Sequence, residues 1–192
     1  MVDDDLNASL HEALAPLLNK QGPINWSPRP IDASAVWNFC ESVEDGNPVY
    51  WDEAAGEASR FGRMIAPPQA LMALSMGAWW LPPFLKERAA AEVKDFGPIP
   101  GATSHQIAVD FGFGTATNVT REEEYFEPFG PGDGRLGHAD TLVDVSPIKQ
   151  TRVGKGVFLT TEMDYITEKS GTLVARARNV LLMYDGSTGR EG

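Results

Sequence analysis

Four residues, Asp45-Gly46-Asn47-Pro48, combine a carboxylate and an amide with a backbone sequence that forms a turn. Glycine allows a positive φ, asparagine tolerates one, and proline fixes its own φ while disfavouring an α conformation at Asn47. The turn would present the Asp45 carboxylate from a constrained backbone, which is a suitable mount for a catalytic group. The alternative is that Asp45 only forms the turn, through hydrogen bonds to its own backbone.

Two nearby features limit that chemistry. Tyr50 follows the turn, and a phenol with a pKa near ~10 is almost wholly protonated at pH 7 and is a poor general base. Pro67 and Pro68 precede an apolar run, and proline has no N–H that could bind a developing oxyanion. The same prolines suit the start of a helix, and both roles can hold together. A histidine could still fold into the site from elsewhere; the chain contains His11, His105 and His138.

The segments around the turn have helical patterns. The leucines between Leu6 and Leu18 recur at helical spacing, with acidic residues early, which predicts an amphipathic helix docked on the domain or on a partner. Asp32 can cap a second helix, and Asp52-Glu53 can open a short third helix over Ala54–Ser59.

The run from Ala70 to Leu81 is apolar nearly all round. Because a helix with no polar face is buried on all sides, we expect a central helix over Pro68–Leu81 that a sheet wraps. The following segment, Phe84–Thr115, is interpreted as a loop or lid beside a cleft, with a short helix over Lys86–Val93.

After Thr115 the apolar period changes from 3.6 to 2, which indicates strands. The predicted strands are Thr117–Glu127, His138–Ser146, Val153–Thr167 and Leu173–Tyr184. Ser170-Gly171 is short enough to join the last two as a hairpin. Sequential antiparallel strands after one buried helix predict an α+β fold.

Composition narrows the class of protein. The chain has 192 residues, enough for one domain, and its net charge of −11 argues against a nucleic-acid partner. A single cysteine, Cys40, excludes an intrachain disulfide framework, and no zinc-type Cys/His spacing is present. The N-terminus lacks the order of a signal peptide, and no apolar run is long enough to span a membrane. We expect a cytoplasmic protein with residues 1–24 as a helix and linker, 25–185 as one domain, and 186–192 as a flexible tail.

The stretch from Asp45 to Pro68 resembles the hydratase motif of the MaoC-like, hot-dog-fold enoyl-CoA hydratases and dehydratases. In that family an Asp-x-Asn-Pro-aliphatic-His run supplies the Asp and His that activate water. The matching residues are Asp45, Asn47, Pro48 and Val49, with Tyr50 at the His position. Phe61-Gly62 and Ile65-Ala66-Pro67 are similar to the start of the family's central helix, and a weaker resemblance extends over Trp26 to Tyr184. The resemblance implies a hot-dog fold, in which an antiparallel sheet wraps a central helix.

The resemblance also implies a function. Hydrating an α,β-unsaturated thioester needs a base, an acid, and a donor for the enolate oxygen. The family takes the donor from a backbone N–H at the start of the central helix. This chain departs at the His and at the donor positions. It is similar to one subunit of the heteromeric hydratases of steroid side-chain degradation, which reads Asn-Pro-aliphatic-Tyr and Ala-Pro-Pro and holds a bulky acyl group.

By that resemblance the chain is the acyl-CoA-accommodating subunit of an enoyl-CoA hydratase, inactive alone. Its partner is a second hot-dog subunit with an intact Asp-x-Asn-Pro-x-His motif, in a heterodimer or heterotetramer. Coenzyme A enters only as part of the substrate, and no other cofactor or metal is expected. Asp185–Gly192 is polar and Gly-rich, so it is expected to be a frayed tail or the stub of a linker, and some relatives carry a further C-terminal domain.

The candidate catalytic residue is Asp45, either active or vestigial. Candidate substrate-binding residues are Asn47, Tyr50, Ala66, Pro67, Pro68, Lys149, Arg152 and Lys155. The last three form a basic trio that could meet the phosphates of coenzyme A, or else a solvated hairpin. Two other hypotheses remain open. One is a self-sufficient homodimeric enoyl-CoA hydratase or 3-hydroxyacyl dehydratase that uses Asp45, and the other is a non-enzymatic acyl-binding or interaction module.

Overall fold

The computed structural model describes residues 2–76, 80, 82–84, 87 and 99–189, and it centres on one sheet of six strands. The strands are β1 (Gln21–Pro30), β2 (Thr115–Tyr125), β3 (Arg135–Val145), β4 (Lys149–Gln150), β5 (Lys155–Thr167) and β6 (Leu173–Asp185). Their order is β1-β3-β5-β6-β2, with β4 beside β5, and every pairing is antiparallel. The described helices are α1 (Val2–Leu14), α2 (Ala33–Val43), α3 (Glu53–Ala58), α4 (Leu71–Ser75) and α5 (Pro100–Asp110). The predicted α+β class with an antiparallel sheet is confirmed.

The period-2 pattern located four strands to within a few residues. Gly171 has a φ of +67° in the hairpin between β5 and β6, where an L side chain would be strained. Ala175 and Ala177 are fully buried on one face of β6. Arg176 lies on the other face and donates to Asp164 on β5, with an Nε–Oδ1 distance of 2.6 Å. The alternation therefore separates a core face from a charged outer face.

Strand β1 was not predicted, because its sequence contains Pro23, Pro28 and Pro30. Proline cannot donate to a ladder and is confined to sheet edges and bulges. The sheet satisfies that rule, since β1 is an edge strand and its pairing with β3 has register shifts.

Side-chain caps position the predicted helices α2 and α3. The Ala35 N–H donates to Asp32 Oδ1 at 2.8 Å, and the Ala55 N–H donates to Asp52 Oδ1 at 2.7 Å. The predicted Asp32 cap is confirmed, and the helix predicted to open at Asp52-Glu53 has Asp52 as its cap.

Helix α1 packs on the domain, with Leu10 and Leu14 buried. The helix ends at Leu14, earlier than its leucine pattern indicates, and β1 already begins at Gln21. At the other end, Gly186–Thr188 form a single 3₁₀ turn, and residues 190–192 of the predicted tail lie outside the described residues.

The core divides into two clusters. The first cluster joins α2, the segment before α4 and the first residue of α4 to one end of the sheet, through residues such as Val36, Leu71 and Tyr165. The second cluster joins α1 and α5 to the other end, through residues such as Leu14 and Leu159. A cleft of about 310 Å³ lies between them on the same face of the sheet.

The prediction of a long helix buried on all sides is wrong for the described part of that segment. A 3₁₀ turn at Pro68–Ala70 continues into α4, which ends at Ser75. Leu71 is fully buried, yet Met72 and Met76 are 52% and 59% exposed. An apolar pattern shows that a side chain needs cover, but not which molecule provides it. Positions 77–79 and 81 lie outside the described residues, and no helix in the described part is long and apolar enough to cross a membrane.

The interpretation of Phe84–Thr115 as a loop is also wrong in its second half, which forms helix α5. Its buried residues are Pro100, Ser104 and Ala108, one per helical turn. They are small and partly polar, so the helix approaches the sheet closely without an apolar stripe in its sequence. The helix predicted over Lys86–Val93 lies outside the described residues, apart from position 87.

Candidate functional site

The Asp45 turn forms as the sequence predicts, and its polar groups hold one another. The Asn47 N–H donates to Asp45 Oδ1 at 3.0 Å, and the Val49 N–H donates to Asn47 Oδ1 at 3.3 Å. The Trp51 indole N–H donates to the Asp45 carbonyl at 2.7 Å. The Asp45 carboxylate thus has a structural task in the turn, and its catalytic role stays a prediction.

Tyr50 lies half-buried at the end of this turn and packs against the first cluster. Burial raises the pKa of its phenol, and the nearby Asp45 carboxylate raises that pKa further. A hydrogen bond with the Asn47 side chain acts in the opposite direction. Tyr50 therefore holds its proton more firmly than an ordinary tyrosine, and it does not supply the base that a histidine would.

The start of the central helix has no spare backbone donor at its three candidate residues. Ala66 is buried, and its N–H donates to the Phe129 carbonyl at 2.7 Å. Pro67 and Pro68 have no N–H at all. An oxyanion placed at this helix start would therefore find no free amide on these residues.

The basic trio lies at the far end of β5 from Tyr50. Lys149 places its ammonium 4.5 Å from the centre of the Phe158 ring, Arg152 is exposed in the β4–β5 turn, and Lys155 begins β5. Tyr50 packs against the first cluster, which contains Tyr165 on β5. Tyr165 lies ten residues after Lys155 on that strand, which corresponds to roughly 33 Å. The structure does not bring the trio and the Asp45 turn together.

The cleft between the two clusters contains a polar network that the sequence reasoning missed. Arg121 on β2 donates to Tyr165 Oη at 3.1 Å and to Asn179 Oδ1 at 2.8 Å, and its Nε–H donates to Glu123 at 2.7 Å. The network crosses β2, β5 and β6 on the inner face of the sheet.

A second polar pair lies on β3, where His138 Nδ1–H donates to Asp140 Oδ1 at 2.8 Å. Both side chains are largely buried, and His138 lines the cleft. Arg121 and Glu123 are two residues apart in the sequence, as are His138 and Asp140. This spacing was the signal from which the polar groups could have been found, because residues i and i+2 of a strand share one face. Among the described residues, no group of three or more His, Cys, Asp or Glu is arranged to hold a metal ion.

Comparisons with known proteins agree with this architecture. The family model described as FAS1-like, dehydratase domain region, matches residues 24–177. A probable enoyl-CoA hydratase alpha subunit of Thermomonospora curvata is 28% identical over 157 residues, covering 81% of this chain and 45% of the relative. The 3-oxo-4,17-pregnadiene-20-carboxyl-CoA hydratase alpha subunit of Mycobacterium tuberculosis is 26% identical over 132 residues, covering 68% and 38%. The chain thus spans less than half the length of these curated relatives.

Solved structures show the same fold. The ChsH1-ChsH2 complex from Mycobacterium tuberculosis matches with a TM-score of 0.75 at 23% identity, covering 92% of this chain and 96% of that chain. The MaoC-like dehydratase from Rhodospirillum rubrum matches with a TM-score of 0.51 at 19% identity, covering 85% and 92%. These likenesses confirm the predicted hot-dog fold. Because the family model covers most of its length, this chain belongs to the FAS1-like dehydratase domain region family, a MaoC-like family as the Asp45–Pro68 motif predicted.

Proposed function

We propose that this chain is the acyl-CoA-accommodating subunit of a heteromeric enoyl-CoA hydratase, whose partner supplies the catalytic Asp and His. The observation that carries the proposal is Tyr50, which stands where the hydratase motif needs His and has a raised pKa. The absence of a free N–H on Ala66, Pro67 and Pro68 supports it. The chain retains the fold of a hydratase and the motif Asp45, but it lacks the His and the free backbone donors that the reaction needs.

The relatives support the same proposal. Both curated relatives are named as alpha subunits of hydratases, and one name specifies a carboxyl-CoA substrate with a pregnadiene skeleton. The ChsH1-ChsH2 structure is a complex of two proteins. We infer that the substrate here is also a bulky, steroid-like α,β-unsaturated acyl-CoA.

In the proposed reaction, the partner's base takes a proton from water and the oxygen adds to Cβ of the substrate. The partner's acid then protonates Cα, so that the elements of water are added across the double bond. This chain would bind and orient the acyl group beside α4, where exposed Met72 and Met76 provide apolar surface. Holding the substrate in one geometry is itself a contribution to the rate. The basic trio remains a candidate for the phosphates of coenzyme A.

Co-expression with the neighbouring gene tests the proposal, provided that the gene encodes a hot-dog protein with an intact motif. Native mass measurement should show a heterodimer or a heterotetramer. The complex should consume the absorbance of a conjugated, steroid-like enoyl-CoA, and an Asp→Asn change in the partner's motif should abolish that activity. A homomeric chain with robust activity that Asp45→Ala abolishes would instead support the self-sufficient hydratase.

A further inference from the structure

The cleft between the two clusters has apolar walls and a polar floor. Its walls include Met72 and Met76 beside α4, and Leu159 and Leu181 on the sheet. The floor is crossed by a row of hydrogen-bonding side chains that we call the polar belt: Asn118, Arg121, His138, Thr161 and Asn179. The belt draws on β2, β3, β5 and β6. Polar groups in the middle of an apolar surface are costly to cover unless the covering molecule forms hydrogen bonds with them.

We propose that this cleft holds the ring system of the acyl group, and that the polar belt recognises a hydroxyl or ketone oxygen carried on those rings. The proposal rests on the proposed function for the identity of the ligand as an acyl-CoA. It adds the residues that would select an oxygenated acyl group over a plain hydrocarbon one.

Two members of the belt are held in fixed orientations. Hydrogen bonds to Glu123, Tyr165 and Asn179 fix the plane of the Arg121 guanidinium. Asp140 accepts the Nδ1–H of His138, and in the neutral tautomer that this bond selects, Nε2 is an acceptor. The amide nitrogen of Asn25 lies 3.5 Å from that Nε2, which makes a long and weak hydrogen bond that a ligand hydroxyl could replace. These side chains are preorganised to donate to an oxygen and to accept from one.

Two further members have hydrogen-bonding capacity to spare. The side chains of Asn118 and Thr161 line the cleft and form no hydrogen bond within the described part of the chain. Asn118 is exposed, and Thr161 is partly exposed. A network that only completed the sheet would not need these two groups beside it.

The position of the cleft fits the far end of an acyl group. Ser75, the last residue of α4, lines the cleft, and the helical segment begins at Pro68. Pro68 and Ser75 are seven residues apart, which corresponds to roughly 10 Å along a helix. The belt therefore lies away from the helix start, and it would take the distal rings of an acyl group whose thioester lies at the partner's catalytic residues. The thioether side chains of Met72 and Met76 can adapt to a rigid ring system.

Binding of three matched thioesters tests the proposal without requiring turnover. The probes are the CoA thioesters of 5β-cholan-24-oic acid, of its 3α-hydroxy form and of its 3-oxo form, which are saturated and cannot be hydrated. Isothermal titration is performed on the chain together with any subunit that co-purifies with it. We expect the two oxygenated probes to bind about tenfold more tightly than the plain hydrocarbon probe, as one or two good hydrogen bonds would give.

Variants localise the effect. His138→Leu and Asn118→Leu should each reduce the preference for oxygenated probes at least threefold, while binding of the hydrocarbon probe is kept. His105→Leu, on the exposed face of α5, is the matched histidine control and should change nothing. Asn118 is exposed, so its variant keeps the test interpretable if His138→Leu fails to fold.

Equal binding of the three probes, no binding of any, or a preference that survives both variants would overturn the proposal. The outcome is separable from that of the proposed function. An active hydratase complex that binds the three probes equally refutes the proposed role of the polar belt and leaves the proposed function standing. A chain that selects the oxygenated probes but forms no active complex refutes the hydratase subunit and retains the belt.

Discussion

Replacing Asp45 separates its structural role from a catalytic one. Asp45 Oδ1 accepts one backbone N–H, from Asn47 at 3.0 Å, in a turn that is largely exposed. Losing such a bond in Asp45→Ala should cost about 1 kcal/mol of the free energy of unfolding. For a chain of this size that corresponds to a fall in Tm of about 2–4 °C. Asp45→Asn keeps an oxygen acceptor in the same place and should leave the Tm nearly unchanged.

Asp32→Ala is the matched control, because Asp32 also accepts one backbone N–H, from Ala35 at 2.8 Å. The two alanine variants should lose similar stability in thermal denaturation followed by circular dichroism. In the hydratase complex, all three variants should keep their rate within about threefold, whereas loss of a general base typically costs ~10²–10⁴-fold. If Asp45→Asn keeps its Tm and loses more than a hundredfold in rate, Asp45 is catalytic and the reasoning is refuted.

Three further predictions concern stability. Gly56→Ala should reduce the free energy of unfolding by about 1–3 kcal/mol, because a Cβ there would lie 2.4 Å from the backbone nitrogen of the facing loop. Gly46→Ala has open space around it and should be nearly neutral, and urea denaturation measures both variants. Asp133→Ala should cost about 1–2 kcal/mol, since Arg63 binds both carboxylate oxygens at 2.9 and 2.8 Å; a loss below 0.3 kcal/mol would show that the pair is unimportant. Because the pKa of Tyr50 is raised in the folded chain, the unfolded chain loses this proton first, from about pH 10 upwards. The free energy of unfolding should therefore fall as pH rises from there through the raised pKa, and Tyr50→Phe should reduce that fall.

Local chemistry was predictable where a few neighbouring residues decide the outcome. The Asp32 cap and the helix that opens at Asp52 form as predicted, because each needs only a side chain and the next turn of backbone. The Asp45 turn follows from its Gly, Asn and Pro, and the alternation along β5 and β6 follows from burial of one face. The Asp45–Pro68 motif added the family, which periodicity alone could not supply.

The remaining features depend on contacts between distant segments. The prolines of β1 argue against a strand in the sequence, and the sheet tolerates them only because β1 occupies its edge. Helix α5 was not predicted because its buried residues are small and do not form an apolar stripe in the sequence. The polar belt depends on how four strands are registered against one another, so that Arg121 on β2 meets Tyr165 on β5. The exposed Met72 and Met76 could not be predicted from an apolar pattern that indicates burial without naming the covering molecule.

The hydration rate of this chain, measured alone and with the proposed partner subunit, tests the central claim most directly. The assay follows the absorbance of a conjugated steroid-like enoyl-CoA with the chain alone, the partner alone and the complex. We predict at least a hundredfold higher rate for the complex than for this chain, since Tyr50 replaces a group that typically contributes ~10²–10⁴-fold. A chain that alone hydrates the substrate as fast as the complex would contradict the account.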